Sequence, residues 1–299
     1  MNYQGNWRDI FQNWEALGLS YPEFLESVVF KFVNASTVDG YNPYRITRDG
    51  IDWEVHDPSD PWSNIGYWGD HQIVYLLKLI EHSEAYHPGR LGEYLDDDIF
   101  VYAHVPYQIK SLDDLFKNPR DSIEFDHVAH DLLMKRTQQI GSDGKLLHHD
   151  DSHPIRVNLA EKLLVPVLAK MANFIPDAGI WMNTQRPEWN DANNALVGYG
   201  VSMVTLYYLR RYLDFCGRLF AQCQVTQYEV SAEICMLLRS TEAVLMEHHQ
   251  KMAGGFDSRE RRQFVNEIGA AGSCYRELIY DDGLSGEKVS LSVESITRS

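Results

Sequence analysis

The chain has 299 residues, enough for one large domain or two small ones with a real core. Its 44% hydrophobic and 23% charged residues, with no Gly/Ser-rich or Pro-rich tract, exclude a disordered or linker-dominated chain. Against 27 basic residues stand 43 acidic ones, and the formal charge of −16 repels nucleic-acid phosphates and anionic membrane surfaces, so neither is expected as a partner.

The opening residues Met1 to Trp7 have neither a basic start nor an apolar stretch, so no secretory signal is read and a cytoplasmic location is expected. Residues 21–35 place Phe24, Leu25, Val28, Val29, Phe32 and Val33 at helical spacing behind Pro22. A long loop at 39–67 comes next, and its Tyr41, Tyr44, Trp53, Trp62 and Tyr67 mark it as functional. Residues 71–82 leave little polar face around Ile73, Val74, Leu76, Leu77, Leu79 and Ile80, which predicts a mostly buried helix. Another long loop, 83–119, carries the main strand signal, at residues 99–105. A helix is predicted over 158–174, kinked at Pro166. The stretch 192–215 is apolar nearly all round and reads as an inner helix, and helices are expected over 227–252 and 258–280. The tail from 281 to 299 alternates, as a short strand or a frayed end does. Few strands and no strand–helix alternation predict an all-α class. Cys216, Cys223, Cys235 and Cys274 lie in or beside helices without zinc-ligand spacing and read as reduced, buried thiols. No apolar run reaches the roughly 18 residues of a membrane span.

Three polar clusters stand just before apolar helices: residues 5–9 (Gly-Asn-Trp-Arg-Asp), residues 66–71 (Gly-Tyr-Trp-Gly-Asp-His) and residues 186–194, which contain Glu188-Trp189-Asn190-Asp191. An Asp at a helix start is a preferred N-cap, which accounts for each cluster singly. Capping does not account for a Trp one or two residues before the Asp in all three. Trp, Arg, Asn and Asp converging at one end of several helices describe a sugar pocket, in which aromatic faces meet pyranose rings and carboxylates or amides bind hydroxyls. His148, His149 and His153, with Asp150 and Asp151, form an exposed turn rather than a metal centre. His248 and His249 late in a helix read as structural, and neither metal nor cofactor is expected.

The order Trp7-Arg8-Asp9-Ile10-Phe11-Gln12, then Gly69-Asp70-His71, then Trp189-Asn190-Asp191 with Asn194 beyond, resembles the glycoside phosphorylases of the cellobiose and chitobiose phosphorylase family, within the six-hairpin glycosidases. The chain departs from that pattern where Gly69 and Glu188 replace an Asp at the head of the second and third motifs, and where Asn13 replaces the Asp after the Gln of the first. The resemblance implies an all-α (α/α)6 toroid. Residues 1–299 would form an incomplete part of that one catalytic barrel domain, with a leading β-sandwich and the barrel's remainder outside them. It implies an inverting enzyme that cleaves or phosphorolyses glycosidic bonds of an oligosaccharide, with Asp191 as general acid. Arg8, Asp9, Trp68, Asp70, Trp189, Asn190 and Asn194 would bind sugar. Inorganic phosphate would be a co-substrate in the phosphorylase case; an inverting hydrolase needs a second carboxylate about 6.5–9.5 Å away to activate water. Glu188, three residues from Asp191, is the alternative acid. The competing expectation is a non-catalytic helical carbohydrate-binding module or an inactive fragment. Nothing in the sequence indicates the oligomeric state.

Overall fold

Helical periodicity sets the architecture of this computed structural model, which describes residues 5–43, 45–47, 50–55, 57, 59, 66–70, 72–149, 153–184, 196 and 198–298. Of the described structure 59% is helix and 15% strand, so the chain is mainly helical. Strand β1 (Gly5–Asn6) leads into helix α1 (Trp7–Ser20) and, after a 3-10 turn at Pro22–Phe24, helix α2 (Leu25–Asn34). Helix α2 buries Leu25, Val29, Phe32 and Val33, four of the residues at the predicted helical spacing. The predicted aromatic loop contains a hairpin, β2 (Arg45–Thr47) and β3 (Gly50–Asp52), with β2 also paired to β1.

The predicted buried helix begins as a π-helical segment, Gln72–Leu76, and continues as α3 (Leu77–Tyr86). All of Ile73, Val74, Leu76, Leu77, Leu79 and Ile80 are buried, as their spacing requires. The second long loop is more regular than expected. It holds a 3-10 turn (Leu91–Tyr94), β4 (Phe100–Val101), β5 (Tyr107–Ile109) and α4 (Leu112–Lys117), and beyond it come β6 (Ile123–Phe125), α5 (His127–Ile140) and β7 (Arg156–Val157). Strand β4 falls within the strand signal at 99–105, whereas the sequence hides β5, β6 and β7 because each is two or three residues long, too short for alternation to register.

Helix α6 (Leu159–Met171) is the centre of the molecule. Every residue from Leu159 to Lys170 is buried, Pro166 lies inside it, and it packs against the π-helical segment and later helices. Its N-cap Asn158 accepts from Glu161 N at 2.9 Å and donates to Glu229 O at 2.7 Å, which joins the cap to the C-terminal hairpin. Burying three charges in one helix requires partners. The Glu161 carboxylate accepts from Tyr102 Oη (2.8 Å) and from Ser231 N (2.7 Å) and Oγ (3.0 Å). The Lys162 ammonium donates to Val101 O at 2.9 Å and lies 3.6 Å from the Tyr102 ring centre. Burial holds the Lys162 amine well below the usual lysine range. The third charge, Lys170, belongs to the candidate site.

After α6 come β8 (Phe174–Ile175), β9 (Gly179–Trp181), β10 (Val201–Ser202) and α7 (Met203–Gln222), capped by Ser202. The sequence placed an inner helix over 192–215. The helix starts later and is amphipathic: Leu209, Tyr212, Phe215, Cys216, Leu219 and Phe220 are buried, while Tyr207 and Leu213 are exposed. Helix α6 takes the inner position instead. Next in the chain are strand β11 (Gln227–Ser231), α8 (Ala232–Glu247), α9 (His249–Gly254) and α10 (Ser258–Asp281); α10 opens with a capping box of Asp257 and Glu260. The tail forms β12 (Lys288–Ser292), paired antiparallel with β11 from Gln227↔Ser292 to Ser231↔Lys288, and α11 (Val293–Arg298). All four cysteines are free thiols; Cys216 and Cys235 are buried, but Cys274 is exposed, contrary to the expectation for it. Among the described residues no helix is long and apolar enough to cross a membrane.

Candidate functional site

The site is assembled where two loop segments lie on the C-terminal half of α6. Gly40 has φ +86°, and a Cβ there would lie 2.6 Å from Ala169 Cβ and 3.0 Å from Val165 O, so only glycine lets the chain run so close to the helix. That approach sets Tyr41 and Asn42 against α6. Asn42 then pairs with Trp68 through two backbone hydrogen bonds, N–H to Trp68 O at 2.6 Å and Trp68 N–H to Asn42 O at 3.0 Å. The pairing brings Gly69 and Asp70 to the same place.

Gly69 explains its own presence. A Cβ at this position would fall 2.1 Å from Lys170 Nζ, 2.5 Å from Lys170 Cε and 2.9 Å from Tyr41 Cε1. The ammonium lies 4.5 Å from the Tyr41 ring centre and has no ion-pair partner among the described residues. Tyr41 Oη lies 3.4 Å from Asn183 Oδ1 and 3.4 Å from Asn173 Nδ2, bridging the end of α6 to the residues just past β9. Several buried amide atoms have no hydrogen-bond partner among the described residues: both Nδ2 and Oδ1 of Asn42, Nε2 of Gln72 and Nδ2 of Asn183. Each such atom costs about 1–3 kcal/mol unless something meets it. The π-helical turn that carries Gln72 is itself a deviation that recurs at functional sites.

Behind this polar set the Tyr67 ring stacks on Tyr41 at 5.0 Å. The Asp39 carboxylate accepts hydroxyl protons from Thr37 (2.5 Å), Tyr67 (2.5 Å) and Tyr280 (2.6 Å). Burial, then the neighbouring Asp39 charge, holds the Tyr67 and Tyr280 hydroxyls well above the usual tyrosine range, so both stay donors. By accepting from these three hydroxyls Asp39 supports the aromatic wall. Beyond it lies a cavity of about 310 Å³ lined in part by His104, Tyr107 and Tyr280. Burial first, and then the Arg136 and His148 charges, push the His104 imidazole down to about 4.

Of the residues expected to bind sugar, Trp68 and Asp70 flank Gly69 and are 3% and 7% exposed. The Trp68 indole belongs to the main core and keeps little free ring face, so its place is in the wall of the site. Arg8 and Asp9 lie in the first turn of α1, and their side chains lie outside the described residues. Glu188, Trp189, Asn190, Asp191 and Asn194 lie outside the described residues as well. The ends of that segment are described. Asn183 and Thr184 are buried just before it, and beyond it Gly198 N–H donates to Met182 O at 2.7 Å while Met182 N–H donates to Gly200 O at 3.1 Å. Sequence reasoning missed Asn42, Lys170, Asn173 and Asn183. Lys170 falls within the helix predicted over 158–174 and Asn42 within the aromatic loop at 39–67, and neither position carries a local signal that sets it apart. Comparison with protein-family models and with curated proteins found no match for the chain.

Proposed function

We propose that this chain is the catalytic part of a carbohydrate-active enzyme that cleaves or phosphorolyses the glycosidic bonds of an oligosaccharide with inversion, its helices forming part of an (α/α)6 toroid. The observation that carries the reading is the cluster of uncommitted buried amides, with an ammonium over a tyrosine ring, at the entry to the Gly69-Asp70 helix. A polyhydroxylated ring is a ligand that can supply donors and acceptors to several amides at once and still lie against aromatic walls. The likeness of Trp189-Asn190-Asp191 to the acid-bearing motif of the resembled family supports the same reading. In this mechanism Asp191 protonates the departing oxygen, and either phosphate or an activated water attacks the anomeric carbon from the opposite face. Arg8, Asp9, Trp68, Asp70, Trp189, Asn190 and Asn194 hold the sugar. Lys170, without an ion-pair partner among the described residues, suits an anionic co-substrate and favours the phosphorolytic form.

Asp191→Asn keeps shape and a hydrogen bond but cannot deliver a proton. Turnover of a disaccharide should fall by about 10²–10⁴-fold, and that of an activated aryl glycoside far less, because a phenolate departs unaided. Equal losses on both substrates would remove the acid role from Asp191, and inactivity confined to Glu188→Gln would transfer it. Running the wild type with and without phosphate separates the reactions, since a phosphorylase releases a sugar 1-phosphate and stalls when phosphate is withheld. Sugar binding without turnover under either condition would leave only the non-catalytic binding module.

A further inference from the structure

A second cluster stands apart from the sugar site, at the junction of α8, α9 and α10. Glu247 is the last residue of α8, His248 links α8 to α9, and Glu267 lies within α10. One ligand atom from each lies within 4.8 Å of the other two. His248 is only 8% exposed, and its ring is flanked by Phe256 and Phe264 with centroids at 6.1 and 5.3 Å. Its Nε2 lies 2.6 Å from Glu267 Oε2. The other oxygen of that carboxylate, Oε1, accepts from Gln263 Nε2 at 2.9 Å, which leaves Oε2 for the cluster. Glu247 makes no hydrogen bond or ion pair among the described residues. Two carboxylates therefore share a small space with a neutral or singly charged imidazole, and no Lys or Arg among the described residues pairs with either of them.

The geometry points to a divalent transition-metal site, best suited to Zn²⁺, with Glu247, His248 and Glu267 as ligands and solvent completing the shell. Two carboxylates and a neutral imidazole sum to −2, which one divalent ion neutralises. One nitrogen among three ligands disfavours Mg²⁺ and Ca²⁺, which take oxygen shells of six or more, and favours Zn²⁺. Ligand bonds of about 2.0–2.2 Å require the exposed Glu247 side chain to swing inward and the His248–Glu267 hydrogen bond to open. Neutral imidazole carries one proton, so binding through Nε2 moves it to Nδ1. The aromatic wall fixes the ring, and Gln263 orients Glu267 as outer-sphere partners do. The ion would clip the end of α8 to the middle of α10 over the small separate core of Phe256, Phe264 and Ile268.

The test uses tag-free protein stripped with a chelator and titrated with Zn²⁺ by calorimetry, with Co²⁺ as a visible-absorption probe of the ligand set. His148, His149 and His153 can bind Zn²⁺ on their own, so the reading is the difference between variants. Wild type should show one site that is lost in His248→Gln, along with the Co²⁺ bands, and weakened at least tenfold in Glu247→Gln. Gln263→Ala should weaken it about tenfold through Glu267. Zn²⁺ should also raise the wild-type Tm and not that of His248→Gln. Glu247 is exposed, so its variant folds whether or not His248 is needed for packing. Absence of a site in the wild type, Zn²⁺ affinity unchanged in both Glu247→Gln and His248→Gln, or equal affinity for Mg²⁺ would each overturn the assignment.

Discussion

At Gly69 a departure from the resembled motif becomes a packing statement. The backbone there lies outside the left-handed region, so the demand for glycine is purely one of space: the Lys170 ammonium stands where a Cβ would go. Gly69→Ala should cost about 1–3 kcal/mol by overpacking. Lys170→Ala should remove most of that penalty, since it clears the clashing atoms at 2.1 and 2.5 Å. A double-mutant cycle by urea denaturation measures this directly. An unchanged penalty in the Lys170→Ala background would mean that the Tyr41 contact, at 2.9 Å, dominates instead.

Helix α6 is the element on which both the fold and the site depend. It is apolar enough to be central, yet its charges reach in different directions: Glu161 to β11 through Ser231, Lys162 to β4 through Val101, and Lys170 to the candidate site. Glu161 is 0% exposed and holds three donors from two residues, Tyr102 and Ser231, with Lys288 Nζ 3.8 Å away. Glu161→Ala should therefore destabilise the protein by about 3–5 kcal/mol, the range for removing one partner of a buried charged network. Glu161→Gln, which keeps the shape and an acceptor, should cost less. Equal Tm losses for the two variants would show that packing, not the charge, decides the position.

For the whole molecule, His104 gives stability a pH dependence of known sign. Its imidazole titrates at about 4 in the fold against 6.5 in the open chain, so between those values the unfolded state binds a proton that the folded state refuses. Stability should fall as pH drops from 6.5 toward 4, by on the order of 1–3 kcal/mol, and should be unaffected by His104 above pH 7. His104→Gln should flatten that part of the curve in chemical denaturation at a series of pH values. A slope unchanged by the substitution would place the effect on carboxylates, of which this chain, at −16, has an excess.

Local patterning by itself determined the helical class, the buried segment around Ile73 to Ile80 and the extent of α10, because a 3.6-residue repeat is written into adjacent positions. It also placed Trp68 and Asp70 at a helix entry. Charge balance alone set aside nucleic acid and anionic membranes as expected partners. Only the tertiary structure decided the matters that require a partner distant in sequence. Periodicity tells which residues of α7 are apolar but not whether a second layer covers them, and Tyr207 and Leu213 are left in solvent. Strand β12 exists because β11, more than fifty residues earlier, supplies its hydrogen bonds. Asn42, Lys170 and Asn183 look like ordinary polar residues until folding buries them together. The cost of burying an unmet donor or charge is set by its surroundings in space, and that is not encoded in any one stretch of the chain.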